Sequence, residues 1–149
     1  MYNLISDLLL KFGKSQAIDL VALLFGFLED TAAAVRSSTI DKIKALADEF
    51  KADWIKSTVI KKLTDAYSKE KQGYLYRMSV IKTAVALIPY LSKSDTESLI
   101  VPILKQAAVD DIPNVKITLS RLVPEVIQYP SGHAIAGNLK RYVLLTVVS

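Results

Sequence analysis

Cysteine is absent from the 149-residue chain and histidine occurs once, at His133. Without thiols neither a disulfide framework nor a thiolate metal site can form, and a reducing compartment, cytoplasm or nucleus, is the expected setting. A single imidazole lacks the second nitrogen or sulfur ligand that a transition-metal site needs. His133 therefore reads as a solvated loop residue, and neither metal nor cofactor is expected. No GxxxxGK[ST] or GxGxxG string occurs, and no serine stands in a glycine elbow. The carboxylate pairs Glu29/Asp30 and Asp95/Glu97 lie at expected helix ends, where capping and dipole stabilisation account for them. No catalytic constellation results, and the chain is expected not to be an enzyme.

Long apolar runs are also missing. The longest candidate, 17–28, contains Asp19 and falls well short of the roughly 18–20 residues of a membrane span. Mean hydropathy is nonetheless high at +0.29, which fits helices buried on more than one side. The first residues lack a basic leader and a small-residue cleavage site, so no signal peptide is expected. Net charge is +4, too mild to argue for nucleic acid by itself.

Glycine and proline number five each and mostly punctuate helices, while period-two alternation never persists. About eight helices are expected. The first two cover roughly 3–12 and 17–28. A third, 33–50, carries Ile40, Ile43, Ala47 and Phe50 on one side and Lys42, Lys44, Asp48 and Glu49 on the other. A fourth, 53–67, turns Ile55, Val59, Leu63 and Ala66 inward. A fifth, 74–91, repeats the stripe with Met78, Ile81, Val85 and Ile88, and Pro89 should end it. Ser94 and Glu97 have the spacing of a capping box for a sixth helix reaching 109, within which Pro102 predicts a kink. Asn114 suits the cap of a seventh helix ending near 128, and an eighth covers roughly 134–148.

Three of these helices open alike. Val35-Arg36, Tyr76-Arg77 and Val115-Lys116 recur at spacings of 41 and then 39 residues. Superposing the basic residues aligns Ile40, Ile81 and Leu119, then Ile43, Ala84 and Val123, then Leu46, Ile88 and Ile127. Asp30 and Asp110 each stand six residues before their basic residue. A period near 40 belongs to stacked helical hairpins, each unable to bury its apolar face alone. The expected fold is all-α, a HEAT-repeat α-solenoid of about four helical hairpins. Its units are 17–50, 53–91 and 95–128, with partial units at 3–16 and 133–149. Such arrays present long surfaces to other proteins, so a protein-interaction scaffold is the expected function.

From about Leu20 to Gln128 the chain resembles the C-terminal HEAT repeats of the scaffolding (A) subunit of protein phosphatase 2A. The resemblance rests on Asp53-Trp54 followed by Thr58-Val59-Ile60, on Gly73-Tyr74-Leu75-Tyr76-Arg77-Met78, and on Pro102-Ile103-Leu104 followed by Asp110-Asp111-Ile112-Pro113-Asn114-Val115-Lys116. Lys61 stands where that family usually has proline. The resemblance implies that the partner is a phosphatase catalytic subunit, with a regulatory subunit as a second candidate. It further implies that contacts come from the turn within each repeat and the following helix start. By position these are Thr31, Ala33, Tyr74, Tyr76, Arg77, Ile112 and Asn114.

Two roles stay open for Arg36, Arg77 and Lys116: reaching partner carboxylates, or bonding a neighbouring repeat's aspartate or backbone carbonyls in an internal ladder. Tyr74 and Tyr76 suit an interface centre, and core packing is the alternative. Trp54, the lone tryptophan, is expected to pack between repeats. Ile112 between Asp111 and Pro113 is an apolar side chain in a polar turn, as a covered contact would be. The lysines at 42, 44, 51, 56, 61, 62, 69 and 71 raise a rival reading, nucleic-acid binding along one concave strip. A transport- or tubulin-binding HEAT array is a third.

Overall fold

The computed structural model describes residues 14–68 and 73–129, together with positions 137, 140 and 141. The expected helices at 3–12 and 134–148, the partial units containing them, and His133, Lys69 and Lys71 lie outside the described residues. All regular structure among the described residues is helical, with no strand.

Helix α1 (Lys14–Phe27) is followed by a short turn and α2 (Ala33–Trp54). Inside α2 the backbone breaks at Lys51, with φ 66° and ψ −174°. The residues before the break run as one helix and those after it begin the next, which matches the division read from the apolar stripes. A π-helical segment, Ile55–Ile60, leads into α3 (Lys61–Ser68). Helix α4 (Tyr74–Leu87) closes in a 3₁₀ turn, Ile88–Tyr90. Pro89 accounts for that ending, since it supplies no amide and its ring crowds the carbonyl four residues back.

The sixth expected helix starts with α5 (Lys93–Asp95), widens into a π segment, Thr96–Ile100, and continues as α6 (Val101–Ala108). Its cap is Ser92, whose hydroxyl accepts from the Asp95 amide at 3.1 Å. The expected box at Ser94 and Glu97 is therefore displaced by two residues, because Ser92 is the last residue in extended conformation. The π segment ends directly before Val101-Pro102, so the kink expected at Pro102 takes the form of a widened turn. The other π segment sits one 41-residue period earlier, ending immediately before Lys61, which occupies the register of Pro102. The irregularity thus recurs with the repeat and does not require the proline. Helix α7 (Pro113–Gln128) completes the described fold.

These segments form three consecutive hairpins in two layers. Helix α1, the run 52–68 and the run 93–108 make one layer, and the run 33–50, α4 and α7 make the other. Contacts join the partners of each hairpin and then successive hairpins, with α2 against α4 and α4 against α7. One continuous core lies between the layers, including fully buried Leu24, Leu28, Ile43, Leu63, Ile81 and Leu104. Each such side chain contributes about 1.5–3 kcal/mol relative to exposure, offset in large part by the chain's lost conformational entropy. Of the nine superposed positions, Ile40 and Ile127 are half-buried and the other seven are buried. Trp54 is buried and its ring stands 5.1 Å from that of Phe50, across the Lys51 break.

Candidate functional site

The three second-layer helices share a cap conformation, and the first and third of them share a carboxylate in the turn. Ala32, Gly73 and Ile112 are the capping residues, all in extended backbone conformation. In the first turn Asp30 Oδ1 accepts the Ala32 amide at 2.8 Å, and in the third Asp110 Oδ1 accepts the Ile112 amide at 2.9 Å. The amides of Val35 and Val115 then donate to the Ala32 and Ile112 carbonyls, both at 3.1 Å. A carboxylate two residues before the capping residue fixes the entry of the chain, which explains the shared aspartates. Asn114 is not the cap. It is the second helical residue, after Pro113, and is exposed.

Arg36 and Arg77 serve the frame, while Lys116, half-buried on α7, makes no such contact among the described residues. Arg36 Nη1 donates to the carbonyls of Asp30 at 2.7 Å and Thr31 at 3.0 Å, closing its own turn. Arg77 Nη1 reaches into the next hairpin and donates to Asp110 Oδ2 at 2.7 Å. The Tyr67 hydroxyl donates to the same oxygen at 2.9 Å. Asp110 is thereby satisfied on both oxygens by three elements. Burial raises the Tyr67 phenol well above its ordinary range, as do its hydrogen bond to Asp110 and that carboxylate's charge, with Arg77 opposing. The ladder role read for Arg77 is the one the geometry has, through an aspartate of the neighbouring hairpin.

The turns are neighbours in space. Arg77 joins the second to the third, and the Glu29 charge bears on Tyr76, whose phenol is pushed up to about 12 by burial and then by that carboxylate. Along the edge so formed Thr31, Ala33, Tyr74 and Asn114 are exposed, Tyr74 to 43%. Ile112 is half-buried and packs against the core. Tyr76 departs from expectation, being buried with 7% exposure. It occupies the register of Val115, an inward position, while Tyr74 two residues earlier faces out. Arg77 is likewise engaged within the fold, so it is no loose charge on the edge.

Sequence reasoning missed Ile117, which is 39% exposed on α7. It lies four residues after Pro113, hence on the same helix face one turn further, and in register with half-buried Met78 and exposed Ser37. That i+4 relation to the ridge positions was the available signal.

Behind the edge, the outer face of the second layer holds two adjoining shallow, open depressions of about 380 and 240 Å³ that share Asp41 and Lys44. The lysines of the nucleic-acid reading do not gather there. Lys44 lines the depressions, Lys51 sits at the helix break, and Lys56, Lys61 and Lys62 belong to the opposite layer. Lys56 is paired with Asp95 at 3.3 Å and Asp53 at 3.7 Å. Among the described residues these lysines, with half-buried Lys42 on α2, scatter over both layers and form no continuous basic track for phosphates. Among the described residues no group of His, Cys, Asp and Glu is placed to hold a metal ion, and no helix is long and apolar enough to cross a membrane.

Comparison with protein-family models, curated proteins and solved structures found no match to this chain.

Proposed function

We propose that the chain is a non-catalytic scaffold, a HEAT-type array of helical hairpins that holds a protein partner along the edge formed by its repeat turns. The observation that carries this reading is the in-register stacking of the three helix starts, which leaves Tyr74 exposed at the centre of an edge where Arg36 and Arg77 are tied back into the fold. A tyrosine in that setting offers a large amphipathic contact at low entropic cost. Thr31, Ala33 and Asn114 flank it with small exposed groups. Ile112 contributes the rim of a half-buried side chain, and Tyr76 supports the edge from below.

The sequence resemblance makes a phosphatase catalytic subunit the first partner to test. The experiment is a pull-down with the full chain from its source cell, followed by identification of what is retained. Recovery of a catalytic subunit that Tyr74→Asp releases supports the proposal. Phosphatase activity should then leave with that subunit on stringent washing. Activity remaining with the isolated chain, or recovery of nucleic acid alone, would overturn the scaffold reading.

A further inference from the structure

We infer that the outer face of the second layer is a separate docking groove for an amphipathic peptide segment of a partner protein, one apolar residue flanked by a basic residue over α2 and an acidic residue over Lys82. The inference rests on the scaffold reading and adds a second contact with its own chemistry.

The groove exists because of side-chain size. Ala45 and Ala86 stand 41 residues apart, hence in the same register of adjacent helices, and both line the depression together with half-buried Ile40 and Leu122. Longer side chains rise around them, including Tyr90 at one end. The floor is apolar and the walls are charged. Asp41, Lys44 and Asp48 come from α2, Lys82 from α4 and Glu125 from α7.

None of these five charges enters an ion pair among the described residues. Lys44 is three residues after Asp41 and four before Asp48, spacings at which pairs readily form on a helix. The groove therefore keeps both signs available around an apolar centre. Three carboxylates would repel nucleic-acid or lipid phosphates, so a mixed-charge peptide is the complementary occupant. Its polarity follows from the layout. Helix α2 carries two carboxylates against one lysine, α4 presents Lys82 alone, and α7 adds Glu125 at the far wall. Ser37 lines the groove one helical turn from Ala33 on the edge, so a partner gripping Tyr74 has a short path for a segment to enter.

The test selects peptides of about a dozen residues from a random displayed library against the full chain. The selected consensus is then synthesised and its affinity read by fluorescence anisotropy. The expected consensus places an apolar residue between a basic and an acidic one. Lys82→Glu should weaken it by about tenfold, and replacing the peptide's acidic residue by lysine should restore it. Ala45→Arg, which fills the floor from a half-buried position, should block binding, while Tyr74→Asp should leave it unchanged. Helical circular dichroism of each variant separates lost binding from lost folding. Failure to enrich any peptide, or affinity indifferent to Lys82→Glu, would overturn the groove. If the peptide is lost with Tyr74→Asp and kept with Lys82→Glu, the groove is wrong and the edge alone binds, leaving the scaffold reading intact.

Discussion

Arg77 and Asp110, 33 residues apart in sequence, meet at 2.7 Å between successive hairpins. The aspartate side chain is 2% exposed and the arginine side chain 23%. One carboxylate thus caps its own turn through Oδ1 while Oδ2 anchors the preceding hairpin through Arg77 and Tyr67. Stacked hairpins have few contacts distant in sequence. A charge pair at this junction keeps its 2.7 Å contact in one register only, a constraint that apolar packing by itself does not impose.

Asp110→Asn should therefore be costly despite its conserved shape. It leaves the guanidinium of Arg77 without its counter-charge and turns one oxygen acceptor into a donor facing other donors. A loss of about 2–4 kcal/mol in urea unfolding is expected, at the lower end because Arg77 keeps some access to water. A double-mutant cycle with Arg77→Met should show coupling above about 1 kcal/mol. Additive losses would mean the two residues act independently.

The hairpin division was legible because period and stripe agree. Each of the three basic residues is followed by apolar side chains at offsets that agree to within one residue, and all of these reach the core or its margin. Pro89 and the break after Phe50 announced themselves by proline chemistry and by the end of the stripe. Which of Tyr74 and Tyr76 packs inward stayed open because a tyrosine beside a turn carries no mark of its direction. The register with buried Val115 held that information. The cap of the sixth helix was misplaced because Ser92 and Ser94 are equivalent by propensity, and only the extended backbone of Ser92 decides between them. The partner of Arg77 was legible as an alternative only, since pairing across hairpins depends on how closely they stack.

Lys51 sits at φ 66° and ψ −174°, a region almost reserved for glycine, and the reversal between two helices depends on it. Lys51→Gly should stabilise the fold by about 1 kcal/mol, reduced somewhat by the greater freedom of glycine in the unfolded chain. Lys51→Ala retains the Cβ and should give no such gain. Thermal melts of both variants beside the parent chain decide the matter.

Alkaline pH should destabilise the protein through its buried phenols. Tyr76 titrates at about 12 in the fold against 10.0 as the ordinary value, because burial and the Glu29 charge favour its neutral form. Between those two values the unfolded chain loses a proton that the folded chain keeps, so stability is unaffected below about 10 and falls as pH rises towards 12. Tyr67, raised by burial and by Asp110, extends the loss in the same direction. Tyrosinate absorbance should show two phenols ionising late, with unfolding following them. Early ionisation of both would contradict the described burial.

Tyr74 and Ile112 should separate binding from folding. Both stand at helix starts on the proposed edge, but Tyr74 is exposed and Ile112 packs against the core. Tyr74→Asp should leave the urea midpoint nearly unchanged, within the about 0.5 kcal/mol usual for surface changes, and reduce partner affinity by at least about 2 kcal/mol as a central anchor would. Ile112→Asp buries a charge at the margin of the core and should lower stability as well as binding. Lys44→Asp serves as a third arm, since Lys44 lines the groove and not the edge. It should spare a partner held only at the turns and strengthen one whose basic residue lies over α2, since it removes the cation there and adds a third carboxylate. A change in partner affinity with Lys44→Asp and none with Tyr74→Asp would place the contact on the helix face and remove the edge from the proposal.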